Sequence, residues 1–408
     1  MIGSEKIRIA VIGGGAAGFF AAISCKQHHP DADVIIFEKS NKTLAKVKIS
    51  GGGRCNVTHA TFDINALSKN YPRGERQLRK AFSQFMTTDT VEWFESRGVQ
   101  LITQEDNCIF PKAQDSQVVI DCLMHEVKKR NITIRLHSHI DKIDKASGGY
   151  NLAVREQDVL FCNKIIVAIG GQPKMRGLQW LADLGHRIES PVPSLFTFNM
   201  PDNSITKLMG VVVNPASVKI PGTKLQADGP LLITHWGMSG PAILKLSAWG
   251  ARILEEKNYN FSILVNWLHP KTESDITNLV EHVILSLNSK MVKNTNPFGL
   301  PNRLWKFLLL KYAIPDDQRW GSLSKKIKNK LVQLLFVDEY VVSGKTTFKE
   351  EFVTCGGVAL EDVNFKSMES KVCPGMYFTG EVLDIDGITG GFNFQSAWTT
   401  GFIAGKLG

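Results

Sequence analysis

The passage IAVIGGGAAGFFAAISCKQHHPDADVIIFEKS, residues 9–40, restricts the fold more than any other part of the chain. The apolar run over 7–12 has the pattern of a buried strand. A glycine cluster breaks it, an alanine-rich stretch follows, and a second apolar run covers 33–38. Strand, turn, helix and strand make a βαβ unit. Within it Gly13, Gly15 and Gly18 spell G-x-G-x-x-G, and Glu38 closes the second strand twenty residues beyond Gly18. Gly13 permits the tight turn, Gly15 lets a pyrophosphate approach the main chain, and Gly18 lets helix and strand pack closely. The N–H groups and positive end of the helix suit phosphates, and the Glu38 carboxylate suits ribose hydroxyls. An isolated G-x-G-x-x-G also occurs in ordinary turns. Here all four parts stand in register, and that selects dinucleotide binding.

A length of 408 residues predicts two or three domains. Helical periodicity covers 78–98 and 116–130. Strands are expected in ITIRLHSHIDKID, YNLAVRE and KIIVAIGG, the last ending at Gly170 and Gly171, a second place where backbone can approach a cofactor or simply a strand exit. After residue 190 the texture changes to short β-like runs (GVVVNPASVKI, GPLLITHWG, NFSILVNWL) between Pro and Gly turns. Residues 272–335 read as helical and basic, YVVSGKTTF as extended, and 375–408 as a strand, a glycine-rich turn and a closing helix. The expected organisation is a nucleotide-binding domain from 1–190 and 350–408, a β-rich substrate module from 191–271 and 336–349, and a helical basic insert over 272–335.

The formal charge of +9 is concentrated rather than spread. Between 286 and 330 ten basic side chains, including Lys306, Lys325, Lys326 and Lys328, face only Asp316 and Asp317. Trp305, Phe307, Tyr312 and Trp320 are interleaved with them. Such a stretch is either an electrostatic footprint for nucleic acid with stacking rings, or a solvated helix face with its aromatics in the core. Seven cysteines without a C-x-x-C pair argue against a disulfide framework or structural zinc, and ten histidines without H-E-x-x-H leave no zincin-type metal site. No apolar stretch reaches the length of a membrane span, and Glu5, Lys6 and Arg8 lead directly into the first strand, so a cytoplasmic location is expected.

Four further motifs occur in order: KISGGGRCNVTH (48–59), THWGMSGPAILKLS (234–247), TCGGVALEDV with SMESK (354–371), and TGEVLDIDGITGGFNFQSAWTTGFIAG (379–405). With the Rossmann unit they make the chain resemble, over essentially its full length, the BaiN/RdsA family of NAD(P)/FAD-dependent flavoproteins. The resemblance implies an α/β fold with a Rossmann-like FAD-binding domain of the two-dinucleotide-binding-domain flavoprotein type, carrying an inserted β-rich and helical module. It also implies bound FAD. The closing segment supports this independently, because DGITGGFNFQ starts a helix whose N-terminus suits negative charge on a reduced flavin. Gly13, Gly15, Ala16, Ala17, Gly18, Glu38 and Lys39 are assigned to the adenosine and pyrophosphate side. Gly380 and Glu381 are placed near the phosphates, and Asp386, Gly390, Gly391, Phe392 and Asn393 near the ribityl chain and flavin.

A chain leaving the ribose end must run along the extended cofactor, so SGGGRCN is expected to pass the flavin. Gly53 allows close approach, Arg54 pairs with phosphate or flavin charge, and Asn56 bonds the polar edge of the ring. Family activities include dihydrouridine formation in 23S ribosomal RNA, a bile-acid transformation and amine oxidation. The basic insert favours RNA, with Lys306, Lys325, Lys326 and Lys328 on phosphates. The leading expectation is that NADH or NADPH, as a transient reductant, supplies electrons through FAD to the C5=C6 bond of a uridine. Cys55 is the candidate acid, and His235 and Thr234 are second candidates. Each has a plain alternative, Cys55 as a packing thiol or a cysteine merely lining the FAD site, and the other two in turn and core packing. Two other readings stay open: a small-molecule flavin oxidoreductase, or an RNA-binding protein with structural FAD.

Overall fold

The computed structural model describes residues 6–346 and 353–408. The chain divides into two compact units, Met1–Ser194 with Lys349–Gly408, and Leu195–Phe348.

In the first unit the strands Arg8–Ile12 and Asp33–Phe37 are buried at every position after the first. Such continuous burial belongs to a parallel sheet covered on both faces. Ala10 lies between Ile35 on one side and Ile165 of Lys164–Val167 on the other. The full order is 363–364, 369–370, 376–378, 164–167, 8–12, 33–37 and 133–135, with the first two strands antiparallel. Chain order therefore reverses on either side of Arg8–Ile12. In open α/β sheets the crevice at the carboxyl end of such a strand is where ligands bind.

Two helices buried along most of their length, Ala16–His28 and Phe392–Ala404, pack on each other. Small residues allow the approach: a Cβ at Gly401 would lie 2.9 Å from the carbonyl oxygen of Ala17. The closing helix thereby brings the C-terminal glycine turn to the unit that contains the N-terminal one.

Two expectations are corrected. The helix over 78–98 is two helices, Glu75–Phe82 and Thr87–Glu95, because Met86 is extended and donates its N–H to the Asp89 carboxylate at 2.7 Å, starting a new helix. The strand over 132–144 breaks after Thr133–Arg135, where His137 turns to φ +52° and Ser138 donates to the Glu38 carbonyl at 2.9 Å. That break leads the chain out of the parallel sheet into the small antiparallel sheet 140–146, 149–154 and 160–162.

The second unit holds a seven-stranded sheet in the order 338–343, 260–266, 212–219, 226–233, 237–239, 197–199 and 345–346, antiparallel throughout. The rest of the predicted extended run YVVSGKTTF lies outside the described residues. Helices Glu273–Ser286, Asn302–Lys311 and Lys325–Phe336 share one buried cluster with this sheet, so Ile263 and Val265 pack in the same core as Val280, Trp305 and Leu335. The helical stretch that sequence set apart thus has no separate core. Among the described residues no helix is long and apolar enough to cross a membrane.

Candidate dinucleotide-binding and active site

The crevice is built by the glycines in different ways. Gly13 adopts φ +114°, donates its N–H to the Phe37 carbonyl at 2.8 Å, and a Cβ there would lie 2.2 Å from the Ala168 carbonyl oxygen. A Cβ on Gly18 would lie 2.0 Å from the Gly13 carbonyl oxygen, so this glycine is required by helix–turn packing alone. Gly15 is the opposite case, because a Cβ there would meet nothing within 4 Å. It faces open space at a helix N-terminus. The first intrahelical bond runs from the Phe19 N–H to the Gly15 carbonyl, leaving the N–H groups of Ala16, Ala17 and Gly18 ahead of the ladder. Backbone donors, positive dipole and open space together fit a pyrophosphate.

Beside the turn lies a cavity of about 700 Å³ lined by Glu38, Lys39, His139, Lys174, Arg176 and Trp180. Cations and a flat indole suit a nucleotide. The Glu38 carboxylate accepts from the Gly14 N–H at 2.9 Å and the Ser40 N–H at 2.8 Å, which fixes it at the end of its strand. Gly170, φ +70°, has open space where its Cβ would be. At Gly380 a Cβ would lie 2.7 Å from that of Ala17. Glu381 accepts from Lys46 at 2.8 Å and from the Thr354 N–H at 2.9 Å. The adenosine and pyrophosphate residues drawn from sequence are thus brought together with Gly380 and Glu381, and they fit FAD.

The other end is more heavily tied by the protein itself. The run KVKISGGG is a short helix followed by left-handed Gly51 (φ +58°) and Gly52 (φ +68°), rather than extended chain. Gly53 has open space beside it, while its carbonyl accepts from the Ser116 N–H at 2.8 Å. Arg54 lies over the Phe110 ring at 4.3 Å and donates to the Gly51 carbonyl and the Gln114 side chain. Asn56, with its amide oriented to satisfy both ends, donates to the Thr58 and Ile109 carbonyls and accepts from the Gly391 N–H at 3.2 Å. These two side chains brace the motif internally.

The glycine turn before the closing helix is braced likewise. Asn393 clasps Gly387, accepting from its N–H at 2.8 Å and donating to its carbonyl at 3.0 Å. Asp386 is fully buried against Arg73 and Ser194. Gly391 takes φ +89°, where a Cβ would lie 2.7 Å from the Thr58 carbonyl. The first intrahelical bond is from Gln395 to Gly391, so the N–H groups of Phe392, Asn393 and Phe394 precede the ladder. A buried chain fixes this helix: the Thr58 and Thr90 hydroxyls donate to the side-chain amide oxygen of Gln395, whose amide nitrogen donates to the Thr399 hydroxyl.

Sequence reasoning missed Tyr71, whose hydroxyl donates to the Phe392 carbonyl at 2.7 Å, and His59, whose ring stacks on Phe392 at 4.6 Å. It also missed Arg73 and Lys46. Only His59 falls inside a motif, and the others carry no local signal.

The acid candidates differ in access. Cys55 is fully buried at φ +62°, and burial pushes its thiol up to about 12, against a smaller opposing effect of Ser50. Thr234 is buried, and its hydroxyl accepts from the Gly237 N–H at 3.2 Å to close a tight turn. His235 stands exposed on that turn beside Trp236. In the basic stretch Lys306, Lys325 and Lys326 are exposed and, among the described residues, carry no side-chain bond or ion pair, whereas Lys328 pairs with Glu281 at 2.7 Å. The aromatics do not form a stacking surface. Trp305 and Trp320 are buried and stacked 6.4 Å apart, and Phe307 and Tyr312 pack against the same core.

A parallel sheet with a glycine crevice at its reversal point, a helix N-terminus facing open space and a returning C-terminal glycine turn defines an FAD-dependent oxidoreductase fold. The chain belongs to the HI0933-like family, matching the HI0933-like protein Rossmann domain over residues 7–407. This is the family reached from the sequence motifs. It is 28% identical to the ribosomal RNA dihydrouridine synthase of Escherichia coli, covering 97% of this chain and 96% of that protein. It is 26% identical to the 3-dehydro-bile acid delta(4,6)-reductase of Clostridium scindens, covering 98% of each. Among solved structures, 3-ketosteroid-delta4-(5alpha)-dehydrogenase of Rhodococcus jostii aligns over 99% of this chain and 98% of its own, with a TM-score of 0.51 at 11% identity, a likeness of fold.

Proposed function

We propose that the protein reduces a carbon–carbon double bond conjugated to a carbonyl, with a uridine of ribosomal RNA as its substrate and NADH or NADPH as transient reductant. FAD supplies the hydride chemistry when bound. The names of both relatives describe addition of hydrogen to an unsaturated ring, which supports the reaction class. The observation favouring RNA is the exposed, unpartnered set Lys306, Lys325 and Lys326 within the basic stretch, suited to phosphates that position a strand without reading its bases.

The remaining residues have plain tasks under this reading. Gly15 and the N–H groups of Ala16–Gly18 hold pyrophosphate, Glu38 and Lys39 the adenosine side, and Gly390, Gly391 and the start of the closing helix the flavin end. Cys55 is assigned a packing role rather than that of proton donor, because its thiol is closed off from solvent. Arg54, Asn56 and Asn393 act as braces.

The test is to delete the gene in its host and map dihydrouridine in 23S ribosomal RNA. One lost site, restored by the intact gene and by Cys55→Ala, supports the RNA substrate and the packing role of Cys55. An unchanged map in cells that express the protein refutes the RNA substrate. The burial of Trp305 and Trp320 favours a second reading, a small enone as substrate, and turnover without RNA would distinguish it.

A further inference from the structure

The turn that leads into the closing helix is fastened to a segment that no sequence motif marks. Residues 70–74, Asn-Tyr-Pro-Arg-Gly, run beside 385–392. The Ile388 N–H donates to the Asn70 carbonyl at 3.0 Å, and the Tyr71 hydroxyl donates to the Phe392 carbonyl at 2.7 Å. Arg73 and Asp386 form an antiparallel bridge, and the guanidinium reaches both carboxylate oxygens. Ser194 adds a hydroxyl donor at 2.5 Å. The Asp386 side chain is 0% exposed and that of Arg73 15%.

A carboxylate enclosed in this way is not available to a ligand. Its burial also makes it a poor source of net stability, since withdrawing both charges from water offsets their attraction. Desolvation raises the Asp386 carboxyl to about 6 although Arg73 and Ser194 act to lower it. The charged groups facing it are Arg73 from the 70–74 segment and Asp384 from its own turn. What the planar two-pronged contact provides is a defined geometry.

We propose that Arg73 is a positioning residue for the flavin: through Asp386 it holds the 384–391 turn in the shape that presents Gly390, Gly391 and the first N–H groups of the closing helix to the isoalloxazine ring. This rests on the reading above that the turn receives that end of the cofactor. Asp386, which sequence placed among the flavin contacts, becomes the strut through which Arg73 acts.

The experiment uses full-length Arg73→Lys, Asp386→Asn, their double variant and Gly391→Ala. FAD affinity is read by quenching of flavin fluorescence, and the flavin absorption band is recorded in each loaded protein. Arg73→Lys keeps the charge and removes the fork, so it can fold and still lose the geometry. The expected result is a loss of affinity of about tenfold in each single variant, the scale on which supporting partners act in preorganised sites, with a displaced flavin band. The double variant is expected to be no weaker than the worse single one, because both act through one contact. Wild-type affinity and spectrum in Arg73→Lys and Asp386→Asn, with Gly391→Ala impaired, overturn the positioning role alone. Wild-type binding in Gly391→Ala overturns the placement of the flavin and the proposal with it.

Discussion

Gly15 and Gly18 stand three residues apart in one motif, yet the structure predicts opposite consequences for adding a methyl group. At Gly18 the new Cβ would lie 2.0 Å from the Gly13 carbonyl oxygen and 3.3 Å from the Ala168 side chain. Both obstacles belong to the crevice walls, so the backbone must move, and overpacking of this kind costs about 1–3 kcal/mol. For a domain of this size that is a fall in the apoprotein melting temperature of roughly 5 °C. At Gly15 the Cβ meets nothing within 4 Å and the backbone is extended, φ −90° and ψ −174°, which alanine tolerates. Its cost to the apoprotein is the weaker N-cap, about 1 kcal/mol or less. Under the proposed reading the methyl nevertheless fills the space of the pyrophosphate, so FAD affinity should fall by about tenfold or more, the equivalent of roughly 1.4 kcal/mol. Scanning fluorimetry of the apoproteins and FAD titration by fluorescence quenching separate the two quantities. The reasoning is refuted if Gly15→Ala binds FAD like the wild type, or if Gly18→Ala melts unchanged.

Other outcomes follow from the same geometry. Cys55 should resist alkylation in the native protein at pH 8 and react only on unfolding. Its folded pKa is raised, so the stability it contributes is whole below about pH 9 and is lost toward about 12, a slope that Cys55→Ala should remove from alkaline denaturation curves. Asp386 is also raised, from 3.8 to about 6, so its contribution is greatest below pH 3.8 and declines as pH rises to about 6. Urea titrations of the apoprotein at pH 4, 5 and 6 should show that decline, and Asp386→Asn should abolish it. Lys325→Glu with Lys326→Glu should weaken single-stranded RNA binding and reduce the salt slope by about 0.7 for each phosphate no longer neutralised, leaving FAD content unchanged. An unaltered slope would remove these two lysines from the RNA surface.

The nucleotide end was legible because its signal is local. Strand, turn, helix and acid occupy one stretch of 32 residues, and each glycine's task depends on neighbours within that stretch or on the next strand of the sheet. The family was legible for a similar reason, since four motifs stand in order along the chain. What sequence could not decide depends on partners far apart. Arg73 meets Asp386 across 313 positions and Tyr71 meets the Phe392 carbonyl across 321, so nothing near either residue marks the pair. Interleaving of basic and aromatic residues in 286–330 left surface and core open. Packing decided it by drawing Trp305 and Trp320 into the cluster shared with the antiparallel sheet while Lys306, Lys325 and Lys326 stayed in water. Local pattern thus determined which elements and which cofactor class this chain supports. The tertiary structure decided which polar side chains remain open to ligands, because burial and long-range pairing consume hydrogen-bonding groups that look identical in sequence.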